Sequence, residues 1–163
     1  MDFEKYCEVL AEKLRDIVRH KAPSLLRNAD LTVNPHYLDR ERHHVTFYGY
    51  FTIDNKTYQF FHLRIDVGTN EICVQRLAVS PHLRRIGIGS CVIDTLSELA
   101  YDNKQCISAF VGSYDFMNSG LDDLLGTSEE MEVDNVAFWE SRGFSKSDKL
   151  LSIDRDDYYV KND

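Results

Sequence analysis

The chain has 163 residues and four cysteines, and nothing in their spacing suggests a bridge or a metal centre. Cys7, Cys73, Cys91 and Cys106 stand far apart, with no CxxC and no Cys/His ligand pattern. His43 and His44 are adjacent, so as strand neighbours they point to opposite faces and cannot share an ion. No metal is expected, and the cysteines read as reduced thiols of a cytosolic protein. Long apolar runs are also missing. Nothing approaches the ~20 apolar residues of a membrane span. The opening "MDFEKYCEVLAEKLRD" is charged throughout and has no apolar signal core. The expectation is a soluble, cytoplasmic protein without a membrane partner.

Positive charge is scarce as well. Nineteen Lys and Arg stand against 27 Asp and Glu, for a net charge of -8. That argues against a nucleic-acid partner, because such affinity comes from neutralising phosphates. It leaves two readings, a cationic partner or charge that serves solubility.

What is present is enough apolar sequence, 43%, for one compact core, so 1–163 reads as a single domain. Phe3, Tyr6, Cys7, Leu10, Leu14, Ile17 and Val18 recur at helical spacing and predict an amphipathic helix over 2–20, ended near Pro23. Residues 24–43 lack a clean period and read as a short helix or loop, which makes 1–44 a helical N-terminal part ahead of a core over 45–160. Three strands follow. Val45 to Ile53 and Phe61 to Val67 alternate with period two around a turn at Asn55-Lys56, and after Gly68-Thr69-Asn70 a third strand runs from Glu71 to Val79.

The third strand is irregular, since Ile72 and Val74 share one phase and Leu77 and Val79 the other. Burial on both faces would explain this, and so would a β-bulge near Gln75. Next comes "PHLRRIGIGS", then a helical run of Ile88, Cys91, Val92, Thr95, Leu96, Leu99 and Ala100. Residues 105–112 read as a buried strand and 113–131 as a long polar segment. Residues 133–142 form a helix stopped by Gly143, and the tail "KLLSIDRDDYYVK" offers one or two strands. The order predicts an α/β sandwich with a mixed sheet.

A helix N-terminus carries four unbonded N–H groups and partial positive charge. Gly87 and Gly89 let main chain approach an anion, and Arg84 and Arg85 add cationic donors. The alternative is a plain tight turn with solvated arginines. No Walker lysine-serine pair follows the last glycine, and the turn follows a meander, so a nucleotide-binding P-loop or Rossmann turn is disfavoured.

Arg84-Arg85-Ile86-Gly87-Ile88-Gly89 resembles the Q/R-x-x-G-x-G/A signature of the GNAT superfamily of N-acetyltransferases. The preceding "LAVSPHL" is similar to the "LxVxPxxR" strand end of that family, and Phe138 to Phe144, "FWESRGF", resembles its "FYxxxGF" helix end. The resemblance spans residues 45–160. It implies a mostly antiparallel central sheet flanked by helices. It also implies acetyl transfer from acetyl-CoA to a primary amine (a small amine, a polyamine, or a protein lysine or N-terminus) by direct attack in a ternary complex. Arg84, Arg85, Ile86, Gly87, Ile88, Gly89 and Ser90 would hold the pyrophosphate, and main-chain groups of Leu77, Ala78 and Val79 the pantetheine. The bulge near Gln75 becomes the favoured account, because relatives splay their fourth strand from the fifth there.

The chain also departs from the family. Arg85 stands where glycine is commonest. Trp139 replaces a tyrosine that often serves as general acid; an indole N–H is too weak an acid, so Trp139, beside Phe138, packs on the cofactor or in the core. Asn135 lies one turn later than the usual asparagine, with Glu132 at the usual place, and either bonds pantetheine or caps its helix. Glu71 is the candidate general base or an exposed residue at a hairpin end. It lies two residues before the usual glutamate position, which Cys73 fills. Tyr114 is the candidate acid. Direct attack needs no covalent enzyme intermediate, so Cys73 and Cys91 read as core. "DDLLGTSEEMEVD", 122–134, either draws a cationic acceptor or is a solvated loop. Two rivals stand beside catalysis: a degenerate fold of this family that binds acyl-CoA or a partner protein, and an unrelated small nucleotide-binding or regulatory domain. Monomer and homodimer both stay open.

Overall fold

A computed structural model describes residues 2–22, 26, 29–84, 86–111, 121, 135–147 and 157–161. Helix α1, Phe3–Lys21, starts where the Asp2 carboxylate accepts the Lys5 N–H at 3.2 Å, one of the donors a helix start leaves unbonded. Its last turn holds Arg19, His20 and Lys21, cations placed at the negative end of the helix. Phe3, Cys7, Leu10, Leu14 and Val18 form its buried stripe.

Strands β1 (Asp30–Asp39), β2 (His44–Ile53), β3 (Lys56–Val67) and β4 (Glu71–Val79) form an antiparallel meander. After β4 come a single turn of 3-10 helix at Pro81–Leu83, helix α2 (Ile88–Asp102) and β5 (Cys106–Val111). Helix α3 (Asn135–Ser141), β6 (Phe144–Lys146) and β7 (Asp157–Lys161) complete the described fold. The sheet order is β1-β2-β3-β4-β5-β7-β6, and β4–β5 is its parallel pair. This is the expected mixed, mostly antiparallel sheet flanked by helices.

Two expectations are corrected. Residues 30–39 are a strand, not a helix or loop: Leu31 and Val33 are buried and alternate with exposed neighbours. Pro35, Asn34 and two aspartates hide that alternation, and an edge strand tolerates the proline because one side needs no donor. The β2–β3 turn is centred on Asp54 and Asn55, one residue earlier than read. Both have positive φ, 51° and 65°, as a two-residue hairpin loop of the primed type requires, and short polar side chains bear this best.

One face of the sheet is the core. Val45 and Phe47 of β2, Leu63 and Ile65 of β3, and Ile72 and Val74 of β4 lie in register and are fully buried. α1 packs on β1 and α2, and α2 packs on β4 and β5. A bulge at Phe60 turns both Phe60 and Phe61 inward, since the register passes from Gly49–Phe61 to Tyr50–Gln59. Gly49 makes this possible: a Cβ there would lie 2.8 Å from Phe60 Cζ and 3.2 Å from Phe61 Cβ. Gly49→Val is therefore expected to destabilise the fold by about 1–3 kcal/mol through overpacking. A urea unfolding midpoint equal to wild type would disprove that role.

Candidate functional site

The irregularity in β4 is a bulge at Gln75. Ile65 of β3 faces Val74, but Arg64 faces Arg76, so Gln75 is the extra residue. The bulge keeps Ile72, Val74, Leu77 and Val79 on one face despite their mismatched spacing. The bulged residue is anchored by side chains. Gln75 Nε2 donates to Asp66 Oδ2 at 2.7 Å and to Cys73 Sγ at 3.5 Å. His44 Nε2 lies 3.6 Å from Asp66 Oδ1, and burial pushes the Asp66 carboxyl above the usual range.

At the same point β4 leaves β5. The parallel ladder covers Glu71–Val74 against Cys106–Ala109 and goes no further. β5 continues, but Phe110 and Val111 pair with Tyr158 and Asp157 of β7. From Gln75 to Val79, β4 therefore has no strand partner on its β5 side among the described residues. An opening between diverging parallel strands follows.

The chain leaving that opening forms the glycine turn. Ser80 N–H donates to Phe60 O at 2.7 Å, and Arg84 Nε folds back to Val79 O at 2.8 Å. Gly87 has φ 92°, a left-handed conformation that fits glycine, and is the N-cap of α2 with no side chain capping the first turn. The N–H groups of Ile88, Gly89 and Ser90 thus have no carbonyl acceptor within the helix, and they carry its partial positive charge. Two distant segments reach this turn. A Cβ at Gly87 would lie 3.5 Å from Lys21 Nζ, and one at Gly89 would lie 3.3 Å from Phe138 Cζ.

The structure thus brings together Leu77, Ala78 and Val79 on the open stretch, and Arg84, Ile86, Gly87, Ile88, Gly89 and Ser90 in the turn, with Phe138 against it. The Val79 carbonyl is already used by Arg84, and the Ile88 side chain is core, which leaves its main chain. Trp139 is 5% exposed. It stacks edge-on against Phe138 and Phe144 at 5.4 and 4.9 Å, which places it in the core. Asn135 is the first residue of α3. Arg85, Tyr114 and segment 122–134 lie outside the described residues.

Glu71 is not brought to the opening. It accepts a hydrogen bond from Ser108 Oγ at the paired end of β4, four positions before the bulge and roughly 13 Å away along the strand. Burial pushes the Cys73 thiol up to about 12, so it is no thiolate nucleophile. Two residues that the sequence did not link to this region are Lys21 and His62, the latter read only as part of the polar phase of its strand. His62 lies opposite Ala78 on the open stretch, half-buried, with its ring 6.4 Å from that of Tyr48. Burial, then the charge of Arg76, lowers it to about 4, which keeps the imidazole neutral at pH 7. Lys21 lies 66 positions before Gly87, and no local pattern links them.

No family model and no curated protein sequence matches the chain. Among solved structures it overlaps the PaiA N-acetyltransferase of Thermoplasma acidophilum in complex with coenzyme A, at TM-score 0.44 and 13% identity, over 98% of this chain and 92% of that one. It overlaps Tetrahymena Gcn5 at TM-score 0.45 and 14% identity, over 94% and 86%. Arabidopsis thaliana Naa50, bound to a CoA-peptide bisubstrate analogue, overlaps at TM-score 0.42 and 18% identity, over 71% and 69%. Overlaps of this extent assign no chemistry to the chain.

His62 generates a pH prediction. The unfolded imidazole titrates near 6.5 and the folded one near 4, so between those values the unfolded chain holds more protons. Stability contributed by the neutral ring is present above pH 6.5 and is lost as pH falls towards 4. The melting temperature of His62→Gln is expected to fall less than that of wild type across this window. Parallel curves would show that His62 is not held neutral.

Proposed function

We propose that the protein is an acetyl-CoA-dependent N-acetyltransferase of the GNAT type. The observation that carries this reading is the end of the β4–β5 ladder at Val74 and Ala109, immediately upstream of the Gly87 turn. An exposed strand edge takes an extended, amide-bearing chain as a further strand, and a helix N-terminus takes an anion. A molecule with an amide-bearing arm and a pyrophosphate uses both at once. The residues fit it: Gly87 takes the left-handed angle with no side chain at the helix start, Gly89 makes room for Phe138 against the turn, and Lys21 and Arg84 bring positive charge to it.

Acetyl-CoA, when bound, supplies an acyl group activated for attack as a thioester. Main-chain groups of Leu77 and Ala78 align the arm, and the N–H groups of Ile88, Gly89 and Ser90 hold the pyrophosphate. The amine nitrogen bonds to the thioester carbonyl carbon, the carbon–sulfur bond breaks, and the proton lost by nitrogen ends on sulfur. An alkylamine is mostly protonated at pH 7, so it must first lose a proton. Glu71, bonded to Ser108 at the closed end of β4, lies too far from the opening to take that proton directly, so the base is left to solvent, and Tyr114 stays the proposed donor to sulfur. The burial of Trp139 and the Ser108 bond of Glu71 favour one alternative, a module that binds acyl-CoA without turnover.

Calorimetry with acetyl-CoA tests the reading, and a lack of binding would overturn it. Thiol release across an amine panel then separates transferase from binding module. Gly87→Trp is expected to weaken acetyl-CoA at least about tenfold, roughly 1.4 kcal/mol, while the circular dichroism spectrum is kept. Unchanged affinity would show that the turn is not the cradle. Lys21→Ala is expected to weaken binding several-fold at low salt and less at high salt. Equal loss at both would exclude a charge contact.

A further inference from the structure

The bulge at Gln75 has a second effect, on the sheet face turned away from the core. In an unbroken ladder Gln75 would face Arg64, and Arg76 would point into the core. The extra residue rotates Arg76 onto the outer face and sets it directly opposite Arg64. Both side chains are exposed. Like charges directly opposed across strands destabilise a sheet, so this pair violates a local rule at the place where the strand opens. Arg64 makes no ion pair within 4 Å among the described residues. Asp66, on the same face, is bonded by Gln75 and lies 3.6 Å from His44, and the charge of Arg64 reaches it as well.

The cationic pair adjoins the opening. One step along the same face, His62 and Ala78 oppose each other, and Ala78 belongs to the open stretch of β4. Two residues of strand separate Arg76 from Ala78, about 7 Å. Arg76 is the diagonal neighbour of His62 across the strand pair, two positions from Ala78. Tyr48, in contact with His62, supplies an aromatic wall. Two arginines opposed in register on one sheet face can offer a planar anion paired N–H donors.

We infer that Arg64 and Arg76 form a carboxylate-binding subsite for the acceptor, so that the amine acetylated is one that also carries a carboxylate, of the amino-acid class. This rests on the transferase reading above, and it opposes the expectation of a polycationic acceptor drawn from net charge. The two arginines are specificity-determining residues. The reacting nitrogen lies towards Ala78, and the carboxylate lies towards the bulge.

The test measures acceptor binding to the CoA-saturated protein by calorimetry, so it needs no turnover. The probes are free amino acids, the same amino acids as C-terminal amides, and a polyamine. Carboxylates are expected to bind at least about tenfold tighter than their amides, about 1.4 kcal/mol. Arg64→Ala and Arg76→Ala should each remove that preference while acetyl-CoA affinity stays at the wild-type value and the melting temperature stays level or rises, as relief of the like-charge pair requires. Arg64→Lys should restore part of it. No preference in wild type, tighter polyamine binding, or a preference that survives both alanine variants would overturn the inference. Failure of the protein to bind CoA or acetyl-CoA at all would instead overturn the transferase reading, and the inference with it.

Discussion

One extra residue in one strand organises the end of the sheet where β4 parts from β5. A bulge increases twist and bends the strand that carries it. Placed at Gln75, it coincides with the last β4–β5 pair, Val74 with Ala109. The cost of an unpaired residue is offset by side chains, since Gln75 is bonded to Asp66, and Asp66 faces His44 on the next strand. Three strands therefore hold the irregularity in place. With β4 bent away, β5 completes its ladder on β7. Main chain that would have been consumed inside a sheet is left without a strand partner on its β5 side among the described residues, and the arginine that would have entered the core is turned outward.

The glycine turn depends on the same strand. Val79 ends β4, Arg84 closes back on its carbonyl, and Gly87 adopts the left-handed angle that redirects the chain into α2. The helix then starts with donors that no side chain satisfies. Charge reaches this point from the far end of α1 through Lys21, and apolar contact comes from α3 through Phe138. The two sequence motifs, some fifty residues apart, are parts of one contact: the aromatic of "FWESRGF" sits where a side chain at Gly89 would have been.

Much of this was legible in the sequence. The helical spacing of Phe3, Cys7, Leu10, Leu14 and Val18 marks α1, and the run from Ile88 to Ala100 marks α2. Glu71 and Val79 bound β4 as read; the phase slip between Val74 and Leu77 left burial on both faces or a bulge, the family resemblance favoured the bulge, and the register of β3 and β4 contains it. β1 was missed because Asn34 and Pro35 disfavour strands, and only pairing with β2 overrides them. Three-residue β6 is too short to show a period, and its existence depends on β7.

The sequence by itself determined which segments are amphipathic and at what period, and where the chain must turn through glycine. Those properties are local, set by side-chain spacing and backbone freedom. Only the tertiary structure decided which residues meet. It carried Glu71 to the closed end of β4, buried Trp139, brought Lys21 over Gly87, and set Arg76 opposite Arg64. Each of these depends on strand register and helix docking, which are fixed by burying one common core and cannot be read from neighbours in the chain.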